Sequence, residues 1–99
     1  MSVIAQLAIF PLDRTGSLSP YVAKAVGIIK ASGLPYALGP MGTCLEGEWR
    51  EVMDVVECCF EALEADSNRV YLTLSVDYRA GRQGGLTAKT VSVAALLED

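Results

Sequence analysis

The 99-residue sequence predicts one α+β domain over residues 1–99, in which helices cover one face of a four-stranded antiparallel sheet. Segments with apolar side chains at every second residue alternate with segments that have them at every third or fourth residue. The chain is too short for two independent cores. Its hydrophobic content of 52% and charged content of 20% exclude a disordered chain.

The first quarter of the chain predicts a strand followed by a helix. Residues 2–10 alternate in the manner of a strand, with apolar side chains on one side. After a loop, Ser19 is expected to be the N-cap of a helix, with Pro20 at its first position. The helix runs to about Ala31, and Gly33 is a plausible left-handed stop.

The remaining segments predict a hairpin, a long helix, a strand and a final helix. Residues 35–39 and 42–46 are typical of two short strands around a turn. A helix is expected from about Glu48 to Ala65, and the clearest strand of the chain from Arg69 to Tyr78. A glycine-rich loop precedes a C-terminal helix over Leu86 to Leu97. The candidate packing residues of that helix are Val91, Ala94, Ala95 and Leu97.

This order of elements is the split βαβ pattern of a ferredoxin-like sandwich, with a further helix at the end. Both main helices lie on one face of such a sheet, and its other face stays bare. A half-apolar bare face on so small a domain predicts self-association as a homodimer or homotetramer. The side chains expected there are Ile4, Gln6, Ala8, Phe10, Tyr71, Thr73 and Ser75.

Composition excludes several classes of function. The net charge of −4, without a basic run, argues against nucleic acid or an anionic membrane as a partner. The absence of histidine excludes His-based triads and His-ligated metal sites. The apolar N-terminal segment lacks the pattern of a signal peptide, so we expect a soluble, cytoplasmic protein whose three cysteines are reduced.

Three segments carry a resemblance to a known family at matching spacing: Ser17–Val22, Ser32–Tyr36 and Pro40–Gly47. The last of these, Pro-Met-Gly-Thr-Cys-Leu-Glu-Gly, is the specific one. The chain resembles the YkoF-like small thiamine-binding proteins over nearly its whole length. The resemblance implies a ferredoxin-like fold and a homodimer or homotetramer. It also implies non-catalytic binding of thiamine or its hydroxymethylpyrimidine moiety, for transport, salvage or delivery.

An aminopyrimidine ligand needs hydrogen-bond donors and acceptors and a flat apolar wall, and the thiazolium ring of thiamine adds a positive charge. Candidate ligand-binding residues are Thr43, Glu46, Ser19, Ser17, Gln6, Tyr36 and Met41. Five of these residues also have a structural interpretation. Ser19 suits a helix cap, Thr43 a strand, and Glu46 a solvated charge near a helix start. Tyr36 and Met41 suit packing.

No catalytic residue is predicted. Cys44 has no histidine to activate it, and the acidic residues are not visibly paired. Cys58 and Cys59 lack the spacing of a zinc or redox site and are expected to be small packing residues, while Trp49 is expected in the core or an interface. We therefore expect no enzyme, no metal and no cofactor. The alternatives are a regulatory small-metabolite sensor and a protein-interaction module of the same fold.

Overall fold

The computed structural model describes residues 2–97, which form a four-stranded sheet and three helices. The strands lie in the order β2-β3-β1-β4, and every neighbouring pair is antiparallel. This confirms the predicted ferredoxin-like fold class. The elements are β1 (Ser2–Pro11), α1 (Ser19–Ala31), β2 (Tyr36–Gly39), β3 (Gly42–Gly47), α2 (Trp49–Glu64), β4 (Val70–Arg79) and α3 (Gly85–Leu97).

The core is built on β1, which pairs with β3 on one side and with β4 on the other. Alternate side chains of β1 point to the face that α1 and α2 cover, because successive strand residues face opposite sides of a sheet. Burial of that face contributes about 25 cal/mol per Å² of apolar surface. The buried residues of the core are Val3, Ala5, Leu7, Ile9, Ala25, Ile29, Leu45, Val52, Val55, Val56, Cys59 and Leu63.

The start of α1 differs from the prediction. Ser19 is the first helical residue rather than the N-cap, and the N-cap is Leu18, which makes no side-chain capping bond. The carbonyl of Leu18 already accepts the amides of Tyr21 and Val22, at 3.0 and 3.1 Å. Ser17 lies further back, and its hydroxyl accepts the amide of Ser19 at 3.2 Å. The predicted stop is confirmed, since Gly33 adopts a φ of +80°.

The face of the sheet opposite α1 and α2 is partly open. We call its exposed part the open face, formed by Gln6, Ala8, Phe10, Tyr71 and Thr73. The rings of Phe10 and Tyr71 lie there with their centroids 5.5 Å apart. The other end of this face lies against the first turn of α3, so it is not bare along its whole length.

The predicted packing residues of α3 do not pack within the protomer. Val91 is 58% exposed and Leu97 is 79% exposed, and Ala94 and Ala95 are exposed as well. Gly85 is the buried residue of this helix. Apolar residues lie all around α3, so the sequence gives it no single face to direct towards the sheet.

Two predictions for α2 are wrong in part within the protomer. Trp49 lies at the first position of the helix and is 53% exposed, which excludes the core. Cys58 is exposed while Cys59 is buried, because adjacent helical residues point in different directions. Burial and the neighbouring Cys58 thiol raise the pKa of Cys59 to about 11.

The packing of the core predicts that two leucines of the hairpin contribute very differently to the free energy of unfolding. We expect Leu45→Ala to lower the free energy of unfolding by about 2–5 kcal/mol, because a fully buried side chain leaves a cavity. Leu38→Ala is the matched control, since Leu38 is 63% exposed. Urea unfolding followed by circular dichroism measures both values. Similar losses in the two variants would contradict the described core.

Candidate functional site

A cleft opens between α1 and the turn that joins β2 to β3, on the helix-covered side of the sheet. We call it the α1–hairpin cleft, and its volume is about 260 Å³. Apolar side chains from three elements form most of its wall. These include Leu7 and Ile9 from β1, Val22 and Val26 from α1, and Leu38 and Met41 from the hairpin.

The floor of the cleft depends on a close approach of the hairpin turn to β1. A Cβ atom on Gly42 would lie 2.9 Å from the carbonyl oxygen of Leu7 and 3.3 Å from the side chain of Gln6. The approach to the backbone carbonyl is too short for a side chain, so glycine is needed at this position. Gln6 therefore supports the turn from the opposite side of the sheet.

Thr43 supplies the polar side chain of the cleft. It pairs with Leu7 in β1 and with Leu38 in β2, and it is 4% exposed. Among the residues that line the cleft, all within 2–97, it alone has a polar side chain. A hydroxyl can donate one hydrogen bond and accept two, so this group can orient a heterocycle against the apolar walls.

A shallower groove continues from the cleft along the outer side of α1. We call it the α1 groove, and it shares Val22, Val26 and Leu38 with the cleft. Ser19 lines it towards the start of the helix, and Lys30 lines it in the last turn. The two cavities thus form one continuous apolar trough.

The structure brings some of the predicted site residues to this trough. Thr43 and Met41 line the cleft, and Ser19 lines the α1 groove. Ser17 lies beside Ser19, whose amide its hydroxyl accepts. Tyr36 pairs with Leu45 at the far end of β2 and lines neither cavity.

Gln6 and Glu46 lie on the other face of the sheet. Their partners across β1 and β3 are Cys44 and Ile4, which also point to that face. Gln6 and Cys44 line a further cavity of about 330 Å³ between the sheet and α3. The seven predicted residues are therefore divided between two faces of the molecule.

Glu46 holds the start of α3. Its carboxylate accepts the backbone amides of Gly85 and Leu86 at 2.9 and 3.0 Å. Burial alone would raise the pKa of this carboxyl. Hydrogen bonds from the Leu86 amide, the Ser2 hydroxyl and the Gly85 amide, with the charge of Arg82, outweigh burial and hold the pKa below its ordinary value. Glu46 therefore caps a helix from within the sheet.

An ion-pair cluster stands beside this cap. The carboxylate of Asp77 accepts hydrogen bonds from Lys89 at 2.6 Å and from Arg82 at 3.0 Å, and both lower its pKa. Arg82 also donates to the hydroxyl of Ser2 at 3.1 Å. Arg82 lies in the predicted glycine-rich loop, and its partner Asp77 lies in the strand before that loop.

Within residues 2–97, no group of three His, Cys, Asp or Glu side chains is placed to hold a metal ion. In the same part of the chain, no helix has the length and apolar character needed to cross a membrane. The sequence did not mark Val22, Val26 and Leu38 as site residues, although all three line both the cleft and the α1 groove.

Sequence comparisons identify relatives of the whole chain. The family described as "Thiamine-binding protein" matches residues 5–94. A UPF0045 protein of Methanothermobacter thermautotrophicus is 43% identical over 94 residues, which cover 92% of this chain and 95% of the relative. A UPF0045 protein of Mycobacterium tuberculosis is 35% identical over 94 residues, covering 94% and 92%. These matches confirm the resemblance that the sequence motifs indicated.

Solved structures share the fold over nearly the same length. A hypothetical protein of Methanocaldococcus jannaschii superposes with a TM-score of 0.86 at 29% identity, covering 94% of this chain and 96% of that one. A Thermotoga maritima protein, provisionally assigned to thiamine biosynthesis or salvage, superposes with a TM-score of 0.79 at 29% identity. That match covers 92% of this chain and 99% of the other.

The cap on α3 predicts a pH-dependent loss of stability in one variant. We expect Glu46→Gln to lower the free energy of unfolding by about 1–2 kcal/mol at pH 7, because an ionised carboxylate accepts amide hydrogen bonds better than an amide does. The folded pKa lies below the ordinary value of 4.5, so this stabilisation is present above 4.5 and is lost as the pH falls through the folded pKa.

Urea unfolding at pH 7 and at successively lower pH measures that difference. Glu57→Gln is the matched control, because Glu57 is exposed on α2. The gap between wild type and Glu46→Gln should narrow as the pH falls, while the control stays close to wild type throughout. A Glu46→Gln variant as stable as wild type at pH 7 would show that the charge of the carboxylate adds nothing to the cap.

Proposed function

We propose that this chain, which belongs to the thiamine-binding protein family, binds thiamine or its hydroxymethylpyrimidine moiety in the α1–hairpin cleft. The main support for the proposal is the position of Pro40–Gly47, the segment with the most specific resemblance to the family. Within Pro40–Gly47, the residues from Pro40 to Thr43 form the hairpin side of the cleft. The segment that resembles the family and the cavity that suits a small ligand therefore coincide.

The chemistry of the cleft supports binding of a flat heterocycle. Apolar side chains on α1 and β1 can cover the two sides of a ring, and Thr43 offers a hydroxyl beside them. Gly39 and Gly42 are half-buried and line the cleft with their backbone. These groups hold and orient a ligand, so we propose binding for transport, salvage or delivery, without chemical conversion.

We also propose that the protein works as a homodimer or homotetramer. The support is apolar surface that its own chain leaves uncovered on two elements. Val91 and Leu97 of α3 are more than half exposed, and Tyr71 of the open face is 49% exposed. Contiguous apolar surface on a domain of this size favours association with another copy.

The hydroxyl of Thr43 gives a direct test of the proposed site. We expect Thr43→Val to weaken binding of hydroxymethylpyrimidine about fivefold, because one hydrogen bond of about 1 kcal/mol is lost at nearly constant shape. Isothermal titration calorimetry measures the affinity. Thr73→Val is the matched control, since Thr73 is exposed on the open face.

Two results of that titration contradict different parts of the proposal. If Thr43→Val and Thr73→Val bound the ligand with equal affinity, the proposed location of the ligand in the α1–hairpin cleft would be wrong. If folded wild-type protein bound neither thiamine nor hydroxymethylpyrimidine at millimolar concentration, the proposed function itself would be rejected.

The assembly has its own test. Light scattering coupled to size exclusion should give a mass of two or four times the 10.5 kDa of one chain. Val91→Glu should shift the protein towards the monomer, because it places a charge on the exposed apolar surface of α3. Ala31→Glu adds the same charge at the exposed end of α1 and should leave the mass unchanged. A monomeric wild type would overturn the proposed assembly.

A further inference from the structure

We infer that α3 is exchanged between two copies of the chain, so that residues 90–97 of each copy lie on the open face of the other. We call these residues the α3 arm; they form the exposed outer part of the helix. The inference rests on the proposed assembly and specifies which two surfaces meet in it. Its evidence is the shape of the protomer, the anchoring of α3 and the distribution of charge.

The α3 arm projects from the protomer. The radius of gyration is 14.7 Å, whereas a compact domain of about 100 residues has a radius of gyration of about 13 Å. The longest dimension is 46 Å and the shortest is 20 Å. Every residue of the arm is exposed. The arm therefore receives little cover from its own chain.

The arm needs cover on more than one side. It contains no charged residue, and successive residues of a helix point about 100° apart. Val93, Ala95 and Leu96 therefore point in three different directions from the helix axis. A helix that is apolar on every side is typical of a protein interior, so the exposed arm indicates a buried position in the assembled protein.

Two anchors hold the arm away from its own open face. At the start of α3, the carboxylate of Glu46 accepts the amides of Gly85 and Leu86. One turn later, the ammonium group of Lys89 donates to Asp77 at 2.6 Å. Contacts at two positions along a helix fix the direction of its axis. The arm could reach its own open face only if these contacts broke, so we infer that the cover comes from a second copy.

The open face is an uncharged surface that matches the arm in length. Its five residues carry no charge, and the side chain of Tyr71 is half exposed. Along β1 the face extends from Gln6 to Phe10, which is about 13 Å at about 3.3 Å per residue. The arm, residues 90–97, is about 12 Å long at about 1.5 Å per residue. An arm laid along β1 would therefore cover the face over its whole length.

The distribution of charge favours a second copy as the occupant. Each chain has a net charge of −4, so two copies repel one another unless they meet through uncharged surface. The arm and the open face are both uncharged and belong to the same chain. A reciprocal contact around a two-fold axis covers both surfaces of both copies at once. The outer side of α2 is unsuitable, because it exposes the acidic residues Glu51, Asp54, Glu57, Glu61 and Glu64.

Cross-linking between introduced cysteines tests the exchange in the full-length chain. Cys44→Ser/Cys58→Ser removes the two cysteines that are not buried. Cys59 stays, because it is buried and its pKa, raised to about 11, keeps it as the unreactive thiol. In this background a bifunctional maleimide can link only the introduced cysteines, and a denaturing gel measures the mass of the product.

Thr73→Cys marks the open face, and Ala94→Cys or Ala95→Cys marks the arm on two different sides. We expect Thr73→Cys combined with at least one of the arm variants to give a product of twice the 10.5 kDa of one chain. Each single variant should stay at the mass of one chain, because the second thiol is missing. Thr73→Cys combined with Glu57→Cys is the matched control and should also stay at that mass, since Glu57 is exposed on α2.

Other products would overturn the inference. A doubled mass from Thr73→Cys alone would show that two open faces meet, and a doubled mass from an arm variant alone would show that two arms meet. A bridged product that keeps the mass of one chain would show that the arm folds onto its own open face. Higher multiples of that mass would contradict a reciprocal exchange.

Light scattering on the same variants separates the inference from the proposed assembly. If the protein is a dimer or tetramer but the paired cysteines do not link, the exchange is wrong and the assembly is retained. If the wild type is monomeric, both are rejected. The calorimetric test of the α1–hairpin cleft is a separate measurement, so a failure of ligand binding would reject the proposed function and not the exchange.

Discussion

The alternation of side chains along β1 is the constraint on which the rest of the structure depends. β1 is paired on both sides, so its register is fixed, and a shift of one residue would move its buried side chains to the open face. Because Leu7 and Ile9 face the helices, they form both part of the core and part of the cleft wall. The hydrophobic core and the candidate site therefore lie on the same face of the sheet.

The two faces of the sheet have different roles. The helix-covered face supplies the α1–hairpin cleft, and the opposite face anchors α3 through Glu46. The strand β3 contributes to both, since Thr43 and Glu46 lie on one strand but point to opposite sides. Gln6 connects the faces as well, because its side chain supports Gly42 from below the cleft.

Sequence patterns were sufficient for the strands and the two main helices, because each buries one face with a regular period. They were insufficient where position depends on contacts distant in the chain. The capping role of Glu46 could not be predicted, because it depends on α3 beginning beside this residue in space although Gly85 is 39 residues later in the chain. Val91 is exposed because only the start of α3 meets the sheet. The spacing of apolar residues in the sequence does not indicate where that contact lies. Among the site residues, Thr43 and Met41 came from a family-like motif, while Leu38 had no motif to mark it.

The α1–hairpin cleft has a consequence for how occupancy depends on concentration. Residues of a single chain line the cleft, so an assembly of the proposed kind would carry one such cleft in each subunit. Under the proposed function each chain offers one binding site, and the saturation of that site follows the free concentration of the small molecule rather than that of the protein. Dilution of the protein would then leave the proposed binding capacity per chain constant.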